Sequence, residues 1–213
     1  MPKSVERPIV RSFKQRYAKD AAAWVRSGGH AILWENEKRA RLVFQDPGDD
    51  EDDLGAWAIY DLGKSSWQVH HTGTFAGLAS ALFPKSCLWI AKRRAERDAV
   101  HEAPTRKVAY DCTKCAACCK DNEVILQDGD RERFEGGGRH DLLKTPFAKK
   151  RADGKVVLTL LAGGRCHHLA DDNRCGIYEL RPRACSEFPM GSECCLYARE
   201  EELGVYDGVA PGR

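Results

Sequence analysis

The sequence predicts an α+β protein: a small N-terminal α+β module followed by a small cysteine-rich module of short strands and helices. Two observations predict it. All five tryptophans (Trp24, Trp34, Trp57, Trp67 and Trp89) lie in the first half, and nine of the ten cysteines lie after residue 110. Between these regions His101 to Lys107 (HEAPTRK) carries a proline and little apolar content, as linkers do. The expected division is residues 1–105 and residues 106–213.

The first module is read from its periodicities. Ser12 to Arg26 has Phe13, Tyr17 and Trp24 spaced for one helical face, with Ser27-Gly28-Gly29 as a stop. Ala31 to Trp34 and Arg41 to Phe44 read as strands around the polar turn ENEKR. Asp46 to Asp53 reads as a solvated acidic loop, because a calcium loop needs spaced ligands and a glycine. Ala56 to Tyr60 and Ser66 to His71 alternate like a hairpin around Leu62-Gly63-Lys64. Phe75 to Phe83 and Pro84 to Arg97 read as helices, the second opening on proline. Cys87 is a core cysteine in that helix. His70 and His71 are adjacent on a strand and face opposite ways, so both are structural.

In the second module Glu123 to Leu126 reads as a short strand, and Asp128 to Glu135 as a short helix ended by Gly136-Gly137-Gly138. Lys155 to Leu161 (KVVLTLL) is a β-branched strand, and Gly163-Gly164 a tight turn delivering Cys166.

Composition excludes several function classes. With 34 basic and 32 acidic residues, split 16 to 14 before residue 105 and 18 to 18 after it, neither half offers the basic surface that nucleic acid requires. No apolar run approaches the roughly 18 residues of a membrane span. The N-terminal segment lacks the apolar core of about 7–15 residues found in secretory signals, so a cytoplasmic, reducing location is expected, where thiols persist. No phosphate loop, dinucleotide fingerprint or Ser-His-Asp arrangement argues for a particular enzyme.

The chemistry is carried by cysteine. Cys112, Cys115, Cys118 and Cys119 place four thiols within eight residues. Disulfides need Cα atoms roughly 4.4–6.8 Å apart with suitable Cβ vectors, which such tight loops rarely provide. The CxxC spacing instead lets thiolates converge on one soft cation. Cys166, Cys175 and Cys185 follow, with eight and nine residues between them, and Cys194-Cys195 comes last. A near and a distant cluster let a metal tie the ends of a small module together. If residues 112–119 were helical, at about 100° per residue Cys112, Cys115 and Cys119 would share a face and Cys118 would point away; a loop wrapped around one centre is the alternative. Seven cysteines do not fill two four-ligand sites: Cys194, Cys195, His167 or His168 supplies the remainder, or a site stays open for chemistry. Arg181 and Arg183 either offset thiolate charge or lie on the surface around the helix-starting Pro182.

These residues resemble a known family. Cys112-Thr113-Lys114-Cys115-Ala116-Ala117-Cys118-Cys119 is similar to the signature of the YkgJ-type CxxCxxCC cysteine cluster proteins, described as zinc- or iron-chelating domains. The downstream half resembles it too, through GGRCHHL at Gly163 to Leu169 and the pattern Cys175, Ile177, Tyr178, Arg181, Pro182, Cys185, Phe188 and Pro189. The resemblance spans about Cys112 to Pro189 and implies metal-ligand roles for Cys112, Cys115, Cys118, Cys119, Cys166, Cys175 and Cys185. It implies nothing for Cys194, Cys195 or the N-terminal module. Tyr178 within it reads as a packing tyrosine.

The expected function is metal binding through an iron–sulfur cluster or iron held by thiolates, supporting redox chemistry or modification of a protein or peptide partner. The alternative is a structural zinc module that mediates protein interaction.

Overall fold

The structure, a computed structural model, describes residues 3–49, 62 and 66–206. The acidic loop beyond Asp49 and the expected strand Ala56 to Tyr60 lie outside the described residues. The chain is a mixed α+β protein with its cysteine-rich part in the C-terminal half.

The N-terminal half begins with β1 (Lys3–Pro8), β2 (Val10–Lys14), a 3-10 turn at Gln15–Tyr17 and α1 (Ala18–Arg26). There follow β3 (His30–Trp34), β4 (Arg39–Gln45), β5 (Gln68–Val69), β6 (Leu78–Pro84) and, after a turn at Lys85–Cys87, α2 (Leu88–Asp98). Five of these strands form one sheet in the order β2-β3-β4-β6-β5. Among the described strands of this sheet only β2 and β3 run parallel, joined by the crossover α1.

Two expectations are corrected. The helix expected from Ser12 starts only at Ala18, because residues 10–14 pair with β3 as an edge strand. The helix expected over Phe75 to Phe83 is instead β6, an inner strand of the sheet. Both faces of the sheet are covered. Ala21, Ala22 and Val25 of α1 pack on Ala31, Leu33 and Val43, while Ala91 and Ala95 of α2 pack on Ile32, Leu42 and Phe44. A strand buried on both faces is continuously apolar, and its sequence loses the period of two. The stop after α1 behaves as read: Gly28 has φ +105°, and a Cβ on Gly29 would meet the Trp24 ring within 2.3 Å.

The C-terminal half is built from β7 (Thr105–Tyr110), the single turn α3 (Cys112–Cys115), α4 (Asp128–Gly136), β8 (Ala148–Lys150), β9 (Val156–Leu158), the single turn α5 (Arg183–Ser186) and α6 (Glu193–Leu203). Residues 123–126 contribute a bridge, Ile125 to Val157, and a hydrogen bond from Leu126 N–H to Val156 C=O rather than the strand expected there. Two small buried clusters serve this half, one centred on Phe134, Leu142 and Ile177 and one on Val108, Tyr110, Cys195 and Leu196. Among the described residues no helix is long and apolar enough to cross a membrane.

The expected boundary at 105/106 falls inside β7, which pairs antiparallel with β1 from Lys3 opposite Tyr110 to Pro8 opposite Thr105. Beside this ribbon lies a buried ion cluster. Asp98, at the end of α2, accepts two hydrogen bonds from the Arg7 guanidinium (3.2 and 2.9 Å), one from Arg106 (3.2 Å) and one from the Val10 N–H (3.0 Å). Arg7 and Asp98 are both fully buried. Burial alone would raise the Asp98 carboxyl, but Arg7 and Arg94 outweigh it and hold the group far below the carboxylate range. Burial, then Arg94 and Arg7, push neighbouring His30 down to about 3, so it is neutral. From the same helix α2, Arg94 pairs with Glu193 and Arg97 with Glu200 (2.7 Å), both on α6. Removing one partner of such a cluster strands the others in low dielectric. Asp98→Ala is therefore expected to destabilise the protein by about 3–5 kcal/mol; denaturant unfolding of the variant against wild type measures it.

Candidate metal centre

Four chain segments deliver the thiols. The Asp111 carboxylate caps α3 by accepting the Thr113 N–H at 3.1 Å. Ala116 then adopts a left-handed conformation, φ +53°, and residues 117–119 form a 3-10 turn. Residues 112–119 are thus not one helix: Cys112 and Cys115 stand on one short turn, Cys118 and Cys119 on the next.

The second segment is set by glycine. Gly163 and Gly164 have φ of +84° and +78°, and a Cβ on Gly164 would overlap the Asp121 carboxylate at 1.6 Å. The turn lays residues 165–166 antiparallel to 119–120, with the Cys166 N–H bonded to the Cys119 C=O at 3.0 Å. Cys175 closes the following loop through its bridge to Leu169. In the third segment, buried Asp130 of α4 holds its own N-terminus through the Gln127 N–H (2.9 Å) and, with its other oxygen, the Arg183 N–H (2.6 Å), which places α5 and so Cys185. The fourth is α6, where the Ser192 hydroxyl accepts the Cys195 N–H at 3.3 Å.

These segments enclose a cavity of about 230 Å³ lined by eight of the ten cysteines; Cys87 and Cys194 are the two outside it. One water needs only about 10–15 Å³ of such space, so there is room for far more than one ion. All seven cysteines of the signature face the cavity. Of the two further candidates it gathers Cys195, which is buried, and leaves out Cys194, which is exposed. His168 also lines it, stacked on Phe147 at 5.0 Å, and its buried Nε2 has no hydrogen-bond partner among the described residues; His167 is not part of the lining. Arg181 lines the cavity, whereas Arg183 turns away to pair with Glu187 at 2.8 Å.

Among the described residues no disulfide links any cysteines, and no three histidine, cysteine, aspartate or glutamate side chains meet closely enough to hold one ion as they stand. The thiols ring the space instead of meeting at a point. Burial, reinforced by Cys119, Cys166 and Cys175, pushes the Cys185 thiol up to about 12. Burial, with Cys112 and Cys115, pushes Cys195 up to about 11. The Cys118 thiol donates to Cys119, which raises Cys118 and lowers Cys119, making Cys119 the readiest of the pair to ionise. A cation in the cavity reverses the penalty on every one of these sulfurs. The donor set is soft, plentiful and grouped, and so fits a thiophilic metal or a metal–sulfur cluster.

Two side chains that the sequence reading did not single out complete the site. Arg199 of α6 is buried and donates from Nη1 to Cys115 Sγ at 2.8 Å. Tyr110 lies beneath it, 5.4 Å from the guanidinium to the ring. The signal for Arg199 was present in its spacing of four residues from Cys195, one helical turn on the same face.

Fold and site together define a thiol-lined metal-chelating protein. Residues 111–206 match the family model CxxCxxCC, described as "Putative zinc- or iron-chelating domain", so this part of the chain is similar to that family. No curated protein and no solved structure matches the chain.

The raised thiols give a testable pH dependence. A thiol whose folded value exceeds its ordinary value of 9.0 stabilises the fold at low pH, and loses that contribution as pH climbs from 9 toward the folded values of about 11 and 12. The metal-free protein should therefore lose melting temperature steadily above pH 9. The metal-loaded protein, its sulfurs already ionised and neutralised, should lose much less. Thermal melts across pH 8–10.5, with and without metal, measure the difference.

Proposed function

We propose that this chain holds a redox-active iron centre, an iron–sulfur cluster or iron, in the thiol-lined cavity, and uses it for electron transfer or modification of a protein or peptide partner. The observation that carries the reading is the convergence of eight cysteines from four segments on one roomy cavity. A single structural zinc needs only four ligands in a closed tetrahedron. Such a centre supplies one-electron chemistry when bound.

The residues have separable parts in this reading. Cys112, Cys115, Cys118, Cys119, Cys166, Cys175 and Cys185 are the ligands. Arg199 and Arg181 offset the negative charge that several thiolates leave around a cation, and hydrogen bonding to a sulfur, as Arg199 makes to Cys115, tunes the centre's potential. Tyr110, Ile177 and Phe188 line part of the wall and limit water there. A reducing, cytoplasmic location belongs to the same reading, since ten thiols persist there. The near balance of acidic and basic residues supports a protein or peptide partner over nucleic acid. The division into residues 1–105 and the metal-binding residues 106–213 belongs to the same reading.

A structural zinc module is the second reading. It is favoured by the small size of the two apolar clusters of the C-terminal half, around Phe134 and Leu142 and around Tyr110 and Leu196, which leaves part of that half to be held by its metal.

Anaerobic purification, metal analysis and an absorption spectrum separate the two. A brown protein absorbing in the visible is expected; a colourless protein with stoichiometric zinc would establish the second reading. Under either, Cys115→Ser and Cys175→Ser should lose metal and stability together. For a chain of this length a loss of about 3 kcal/mol lowers the melting temperature by roughly 6–12 °C. Full metal content with unchanged melting would remove these residues from the ligand set.

A further inference from the structure

We infer that the Tyr110 hydroxyl is a hydrogen-bond donor to the loaded metal centre, and that through it the β1–β7 ribbon takes part in metal binding. The ribbon lies outside residues 111–206, which match the family model. The inference rests on the metal-binding reading and extends it to a positioning residue that is not a ligand.

The ring is fixed by packing. Val108 and Tyr110 are the two buried residues of β7, and Tyr110 pairs with Lys3 of β1. Its side chain clusters with Val108, Leu196 and Cys195, flanked by Val5, Phe188 and Met190. Gly191, at φ +85°, lets the chain come close: a Cβ there would stand 3.2 Å from Val5 and 3.6 Å from the tyrosine ring.

The hydroxyl, by contrast, is unsatisfied. It is buried and has no hydrogen-bond partner among the described residues. Burying a hydroxyl without a partner is costly, and such groups are rare in folded proteins. The packed neighbours do not supply an acceptor. Val5, Val108, Leu196 and Phe188 have none, and Met190 has only a weak thioether. Arg199, 5.4 Å from the ring, carries donors alone. What remains is the cavity, which Tyr110 lines and whose other wall residues are largely cysteine. A neutral thiol is a weak acceptor, whereas an ionised acceptor makes a short, strong bond. Metal binding deprotonates thiols, so the acceptor that Tyr110 lacks appears with the metal. Arg199 already donates to Cys115 Sγ at 2.8 Å beside it, so donors to sulfur gather on this side of the cavity. The acceptor is an anionic sulfur, either a cysteine thiolate or the inorganic sulfide of a cluster.

Tyr110→Phe in the full-length, reduced chain removes the hydroxyl and keeps the ring. Metal-free, the variant should melt no lower than wild type, because the lost group had no partner. Loaded with cobalt alone, it should bind about 10–100-fold more weakly in competition with a chelator. Its sulfur-to-cobalt charge-transfer absorption should also move to longer wavelength. Reconstitution with iron and sulfide separates the two acceptors, with a lowered reduction potential as the readout. Effects under both loadings assign a thiolate; an effect with iron and sulfide alone assigns the sulfide. A purely structural tyrosine would give lower metal-free melting with no change under either loading. A hydroxyl satisfied by water would give a variant that matches wild type throughout. Either result overturns the inference. If Tyr110→Phe does not fold, the wild type decides: by NMR, the Tyr110 hydroxyl proton should exchange with water more slowly in the loaded chain, and equal rates overturn the inference. A wild-type chain that takes up neither cobalt nor iron would instead overturn the metal-binding reading itself.

Discussion

Thiols gathered in a confined space stay neutral until a soft cation enters, because burial opposes thiolate formation and only a cation offsets it. That constraint governs the C-terminal half. Eight thiols face one cavity, none is in a disulfide, and burial makes each additional thiolate harder to form. Much of the local architecture is what brings them there: a left-handed Ala116, two positive-φ glycines and the buried Asp130 carboxylate. These devices hold backbone in place where the short elements have little apolar surface to do so.

The helix α6 carries the consequence across the molecule. One side presents Cys195 and Arg199 to the cavity. Glu193 and Glu200 on the same helix pair with Arg94 and Arg97 of α2, and Trp89 packs edge-on to Tyr197 at 5.2 Å. The centre and the N-terminal sheet are thus tied by one short helix, through charge on one side and sulfur on the other. Buried ion pairs of this kind contribute little net stability over an apolar contact, but they are costly to break singly, so they fix one docking geometry. The ribbon of β1 and β7 fixes the same geometry through backbone hydrogen bonds.

Much of the site was legible because metal ligation is a local demand. Four thiols in eight residues, followed by three more around a glycine turn and an RP dipeptide, have few uses besides holding a soft cation, and all seven face the cavity. The fold was legible where elements are amphipathic or end on glycine, as at the close of α1 and over α4. It was not legible at β6, where cover on both faces removed the alternation, nor at β2, whose apolar spacing suited a helix as well as an edge strand.

The sequence by itself determined the chemistry of the centre, because soft-ligand type and spacing survive in one dimension. It also determined the mixed α+β class and the helix stops, which depend on neighbours a few residues apart. Only the tertiary structure decided which of Cys194 and Cys195 belongs to the cavity, that Arg199 reaches Cys115, and that Arg7, Asp98, Arg94 and Glu193 form one buried cluster. Arg7 and Asp98, Arg94 and Glu193, and Arg199 and Cys115 are each about 80 to 100 positions apart. Contact at such separation is set by how the layers pack, and no local periodicity encodes it.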